Sequence, residues 1–195
     1  PTQEEMESSH FCIDWRKKVE IQATLKPACM NRVDVFFDAI ERRPVFEPII
    51  AQREWVFEND RMKVIINPAT GLVDSWEVDG EEYLKKDSFQ LIAVDGTYNS
   101  WGLWTEETAC RRNFNLLTSH EGSEFSGLRD QVAPSVKVIE DGPVRTVVET
   151  LFGWHNSKIW QRYILPKRGV SIEVETGVYW NENDMVLKMQ IPTVL

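Results

Sequence analysis

Positive charge, paired cysteines, long apolar runs and catalytic signature motifs are all scarce in this sequence of 195 residues. The 22 Lys and Arg are outnumbered by 31 Asp and Glu, for a formal net charge of −9. Nucleic acids and anionic membranes are held by concentrated positive charge, so neither is an expected partner. The three cysteines, Cys12, Cys29 and Cys110, are odd in number and far apart. That excludes a disulfide framework or a zinc ribbon and predicts buried free thiols in a reducing, cytoplasmic compartment. No apolar run approaches the ~20 residues of a membrane helix, and no signal peptide is visible. The chain opens on PTQEEMESS without a Met, so its ends are expected to be boundaries within a longer protein.

The missing motifs narrow the chemistry further. His10, His120 and His155 stand in none of the close spacings through which histidines ligate zinc, so no metal site is expected in this chain. Ser100 and Ser126 lack a GxSxG elbow, and the glycines at Gly122 and Gly127 belong to no phosphate-binding GK[ST] loop. Paired carboxylates are what a glycosidase needs. With 31 acids available, however, a pair drawn from Glu106, Glu107 or Asp74 carries little information. Each reads more simply as a solvated surface acid.

What the sequence does have is aromatic mass and alternation. Eight Trp and nine Phe can build a core despite modest overall hydrophobicity, because each ring buries much area. Period-two segments recur with turns between them. Val19–Leu25 and Val33–Phe37 flank the turn KPACMN and predict a hairpin. ERRPVFEP (Glu41–Pro48) reads as a linker. Met62–Ile66, the turn NPATG, Leu72–Val78 and the hairpin signal Asp79-Gly80 follow. After Ser135 come VKVIE, VRTVVETLF, KIWQRYIL, VSIEVETGVYW and VLKMQI, parted by DGP, PKRG and NEND. Such spacing predicts antiparallel β in two packed sheets. Glu106–Leu117 is the one segment read as a helix, and Ser119–Gly127 reads as a loop. Trp76, Trp154, Trp160 and Trp180 lie in alternating strands and are expected to pack in the core.

The stretch YNSWGLWTEE (Tyr98–Glu107) stands apart, with three rings in its first seven residues and two acids behind them. Tyr98, Trp101 and Trp104 are candidates for stacking on a sugar, and packing beneath the loop is the competing reading.

Four segments together resemble the C-terminal β region of the α-mannosidases of glycoside hydrolase family 38. They are MKVIINPATGLVDSWEVDGEEYL, NSWGLW, EDGPVRTVVE and IEVETGVYWNENDMVLKMQIP. The likeness runs from about Trp55 to Leu195. It implies an all-β, antiparallel β-supersandwich of the galactose-mutarotase-like kind, preceded by a short β-hairpin segment. Residues 1–52 are then the end of a smaller β domain plus linker, and residues 53–195 part of the large β-sandwich domain. It also implies a parent enzyme with a divalent metal, usually zinc, in an upstream catalytic domain that nothing in this chain matches. No catalytic residue and no cofactor are therefore expected here. The expected partners are that upstream domain, an α-mannoside substrate and, through open sheet edges, another copy of the chain. Ser100 and Gly102 depart from the family's W-D-A-W-D loop, where acids are usual. The function expected is non-catalytic support of the barrel, with Tyr98, Trp101 and Trp104 at the rim of the carbohydrate site. The alternatives are a stand-alone carbohydrate-binding module and a mutarotase-like epimerase, which needs a His and a Glu converging in a groove.

Overall fold

A computed structural model describes residues 2–4, 19–36, 55–99, 102–104, 109–128 and 131–194. In chain order the strands are β1 (Thr2–Glu4), β2 (Val19–Ile21), β3 (Trp55–Glu58), β4 (Met62–Ile66), β5 (Val73–Val78) and β6 (Glu81–Glu82). Next come β7 (Gln90–Asp95), β8 (Thr97–Asn99), β9 (Gly102–Trp104), β10 (Arg111–Asn113) and β11 (Asn115–Leu116). The helix α1 (Ser119–Phe125) is followed by β12 (Val136–Asp141), β13 (Arg145–Trp154), β14 (Ser157–Pro166), β15 (Glu173–Tyr179) and β16 (Met185–Gln190).

The first sheet is the meander β3-β4-β5-β6, and each of its turns is written in the sequence. Asn59 Oδ1 accepts from the backbone N–H of Arg61 and Met62, at 2.9 Å each, and so closes the ENDR turn. In NPATG, Asn67 Oδ1 accepts from Ala69 N at 2.9 Å and its carbonyl accepts from Gly71 N at 2.7 Å. Gly71 has φ +74°, and a Cβ there would lie 2.9 Å from Leu116 Cδ1. Asp79 and Gly80 both have positive φ, 51° and 85°, as a two-residue hairpin turn matching the strand twist requires.

The five-stranded sheet is built on the long hairpin β13–β14. Strand β15 extends it on one side, while β11 and β12 share the other edge of β13. Buried and half-buried residues alternate strictly along β14, so Ser157, Ile159, Gln161, Tyr163 and Leu165 point inward. Against this face pack two smaller sheets, each with its own core. The meander contributes Trp55, Met62, Val64, Ile66 and Val73, which meet Val136, Val148, Tyr163 and Leu165. The three-stranded sheet β10-β7-β16 contributes Leu91 and Ala93, which meet Phe152 and Ile159. The chain is thus an all-β antiparallel sandwich, the architecture the alternation predicts. Trp76, Trp154 and Trp180 line these cores as half-buried rings.

Four expectations fail, each for a physical reason. Strand β2 pairs with β1 rather than with Val33–Phe37, and residues 22–36 carry no strand. Only the turn between the two alternating runs forms, with Lys26 N donating to Asn31 Oδ1 at 2.9 Å. The expected helix at Glu106–Leu117 is replaced at its C-terminal end by β10 and β11, which are captured by the edges of β7 and β13. The helix forms instead at Ser119–Phe125, in the predicted loop. Its start is a capping box, in which Thr118 Oγ1 accepts from Glu121 N and Glu121 Oε2 accepts from Thr118 N. This S/T-x-x-E pattern satisfies two otherwise orphan donors. Finally, Cys29 and Cys110 are free but exposed rather than buried. Cys12 lies outside the described residues.

Candidate functional site

Strand β7 runs out at Asp95, and after Gly96 the chain enters the ribbon β8–β9 that carries the aromatic stretch. In that ribbon Thr97 faces Trp104 and Tyr98 faces Leu103. Tyr98 and Trp104 therefore hold neighbouring rungs of one ladder rather than a facing pair. Trp101, Glu106 and Glu107 lie outside the described residues. Asp74 is tied into the meander, where it accepts from Asn67 Nδ2 at 3.1 Å and from Asp87 N at 3.3 Å. His120 is exposed on α1.

At the root of the ribbon is a shallow cleft of about 490 Å³, lined by Asp95, Arg112, Trp154, His155, Glu182 and Asp184 among others. Three parts of the chain meet here. Strand β7 pairs Asp95 with Met185 of β16, and Arg112 of β10, whose register partner is Ala93, reaches Asp95 through its side chain. The β13–β14 turn supplies Trp154 and His155, and the β15–β16 link supplies Glu182 and Asp184. Gly96 N donates to the Asp184 carbonyl at 2.9 Å, which fastens the root of the ribbon to that link.

Two of the three carboxylates in the cleft, Asp95 and Glu182, are already matched. Arg112 forks onto Asp95 through Nη1 and Nη2, and this hydrogen bond holds the guanidinium above its ordinary pKa. The same guanidinium carbon lies 5.8 Å from the centre of the Trp154 ring, close enough for a cation–π contact. Trp154 is propped from behind by Phe114 at 6.2 Å. His155 Nδ1 lies 2.8 Å from Glu182 Oε2. Ser157 Oγ donates to Glu182 Oε1 at 2.8 Å and Asn156 N to the same oxygen at 3.2 Å. Burial alone would raise the Glu182 pKa, but hydrogen bonds from His155, Ser157 and Asn156 together bring it below the ordinary carboxylate value.

Two free carboxylates flanking a scissile bond are the requirement for glycoside hydrolysis. Here Asp95 is committed to Arg112, and Glu182 to three donors. A His and a Glu do converge in a groove, as an epimerase would need. Yet Glu182 is pinned in place as the clamp of the β13–β14 turn, where His155 adopts φ +48°.

The description "Glycosyl hydrolases family 38 C-terminal domain" matches residues 57–195. The chain belongs to this family. No curated protein matches it.

For a family 38 C-terminal domain, the cleft supplies residues that sequence reasoning missed. Arg112 gave no signal, because its role depends on a neighbouring strand. Glu182 and Asp184 sat in NEND, which reads only as an acidic turn. Trp154 reads as core, and its half-buried ring is both core and cleft floor. Among the described residues, no three His, Cys, Asp or Glu side chains converge to hold a metal ion. Among the same residues, no helix is long and apolar enough to cross a membrane.

Proposed function

We propose that this chain is the non-catalytic C-terminal β part of an α-mannosidase. It packs against an upstream catalytic domain and lends the ribbon Tyr98–Trp104 to the rim of the mannoside site. The observation that carries this reading is the cleft beneath the ribbon, in a family 38 C-terminal domain, with both of its hydrogen-bonded carboxylates already matched. Such a surface can orient a sugar through Trp154 and the ribbon's rings, while the proton transfers belong to the upstream domain. The divalent metal of the parent enzyme, zinc on this reading, belongs there as well. A cytoplasmic setting is part of the same proposal, supported by the free, exposed thiols of Cys29 and Cys110.

The test is kinetic and uses the full-length enzyme with aryl α-mannosides. Trp101→Ala and Trp104→Ala should each raise KM about tenfold, the loss of roughly 1.4 kcal/mol of substrate binding. The upstream domain should be required for any turnover. Unchanged KM and kcat in both variants, or hydrolysis by the purified 195-residue chain, would overturn the proposal.

A further inference from the structure

The three-stranded sheet carries a second cleft at the opposite end of β7 from Asp95, roughly 17 Å away at the usual rise of an antiparallel strand. Its volume is about 540 Å³, within the range of small-molecule sites. Its walls come from the NPATG turn of the meander on one side and the ends of β7, β10, β11 and β16 on the other. We infer that this cleft is a binding site for a neutral saccharide, held by Gln90, Asn113, Asn115 and Gln190 with Lys86 and Asp87 at its edge.

Four carboxamides from four strands converge on this one hollow. Among the described residues, the side chains of Asn113, Asn115 and Gln190 make no hydrogen bond to the protein. Each offers a carbonyl acceptor and two N–H donors, the complement of a sugar hydroxyl, which both donates and accepts. Gln90 is different. Its amide hydrogens are committed to the carbonyls of Leu91 at 2.8 Å and Phe114 at 2.9 Å, so toward a ligand it offers an acceptor only. Its orientation is thereby fixed before any ligand arrives, which lowers the ordering cost of binding.

Charge decides the ligand class. One Lys and one Asp line the cleft, and neither makes an ion pair among the described residues. They cancel, so the site has no excess charge with which to hold a phosphate or a carboxylate. A neutral, hydroxyl-rich ligand satisfies both, with Lys86 donating and Asp87 accepting. Leu72, Leu116 and Pro192 add the small apolar surface that a pyranose C–H face needs.

The backbone beside the cleft is held in an unusual shape. Asp87 has φ +61° and Phe89 φ +67°, and the left-handed region is rare for a bulky residue such as Phe. Phe89 is kept there by its N–H to the Gln190 carbonyl at 2.9 Å and by its ring against Tyr163 at 6.0 Å. This conformation carries Lys86 and Asp87 across from the meander to the edge of the amide cluster. Strained positions of this kind concentrate where a structure has to present particular groups.

The inference rests on the family and on the cleft's own chemistry, not on the assignment of mannoside hydrolysis, and the test separates the two. The full-length protein is titrated calorimetrically with mannobiose, lactose and, as a charged control, inorganic phosphate. The double variant Asn113→Ala/Gln190→Ala is titrated alongside. Asn113 is exposed and Gln190 half-buried, and a matched thermal melt confirms that the variant is folded. A Trp154→Ala variant serves as the control for the cleft at Asp95. At least one disaccharide should bind the wild type at a site that the double variant weakens about tenfold and Trp154→Ala leaves intact. Phosphate should not compete. Absence of aryl α-mannoside turnover by the wild type would remove the mannosidase reading and leave this result standing. Superimposable disaccharide isotherms for wild type and double variant, or phosphate binding lost in Lys86→Ala, would overturn the saccharide site.

Discussion

His155 Nδ1 and Glu182 Oε2 lie 2.8 Å apart although 27 positions separate them in the chain. The contact joins the β13–β14 turn to the link by which the chain leaves the five-stranded sheet for β16. Glu182 acts as its clamp, with a side chain only 6% exposed against 63% for His155. One carboxylate thus ties the turn of the β13–β14 hairpin to the link that leads into β16.

Replacing that carboxylate isolates its contribution. Glu182→Gln keeps the volume but turns an amide N–H₂ toward groups that are themselves donors. The melting temperature should fall by a few degrees at neutral pH, and amide exchange at Asn156 should quicken. An unaltered exchange rate at Asn156 would remove the clamp from the account.

Acid should weaken the fold through a small set of carboxylates. Hydrogen bonds from Arg61 lower the pKa of Asp79, and those from Thr118 lower that of Glu121. For Glu82 and Glu182 burial works the other way, but their hydrogen bonds outweigh it. A carboxylate depressed in the folded state adds stability above its unfolded pKa, and that stability is lost as pH falls through the folded value. The urea midpoint should therefore be lower at pH 3 than at pH 7. A midpoint that rises on acidification would contradict the sign.

The capping box at α1 should matter even in so short a helix. Thr118→Ala removes the acceptor for Glu121 N and should cost about 1 kcal/mol, as N-cap losses typically do. Equilibrium denaturation measures it. Thr118→Ser, which keeps the hydroxyl, should recover most of the loss.

Gly177 faces Trp160 across the β14–β15 pair, and a Cβ there would overlap the indole ring. That ring in turn lies 4.5 Å beneath the Arg162 guanidinium. Gly177→Ala should destabilise by about 1–3 kcal/mol, as overpacking does. In a Trp160→Ala background the same change should cost much less. Equal costs in both backgrounds would mean that the strain lies in the backbone and not against the ring.

Tyr163 is buried with its hydroxyl donating to the Gly71 carbonyl at 2.9 Å and accepting from Gln161 Nε2 at 2.8 Å. Burial pushes its pKa well above the ordinary 10. Tyr163→Phe should cost about 1–3 kcal/mol, because it leaves Gln161 Nε2 with a weaker set of partners inside the core. Ultraviolet titration of the wild type should show one tyrosine that does not ionise until the fold opens in alkali.

Much of this architecture is legible locally. The turns at Asn67–Gly71 and Asp79-Gly80 lie where their residues say, because a side-chain oxygen or a positive φ acts over two or three positions. The helix at Ser119–Phe125 is less so. Thr118 and Glu121 spell its start, but the Ser- and Gly-rich stretch reads as a loop to anything but the cap. The neighbouring 106–117 segment misleads because strand edges of β7 and β13 override its weak helical preference.

By itself, then, the sequence determined an antiparallel all-β sandwich and its family, since period-two burial and turn chemistry are properties of neighbouring residues. Only the tertiary structure decided which strands pair. Alternation says which face of a strand is buried, not against what, and the partner is settled by the burial of two whole sheets at once. That is why β2 joins β1, why β16 leaves β15 for β7, and why Arg112, Trp154, His155 and Glu182 share a cleft. The four carboxamides at the far end of β7 meet for the same reason, since each sits on a different strand and none marks the others in sequence.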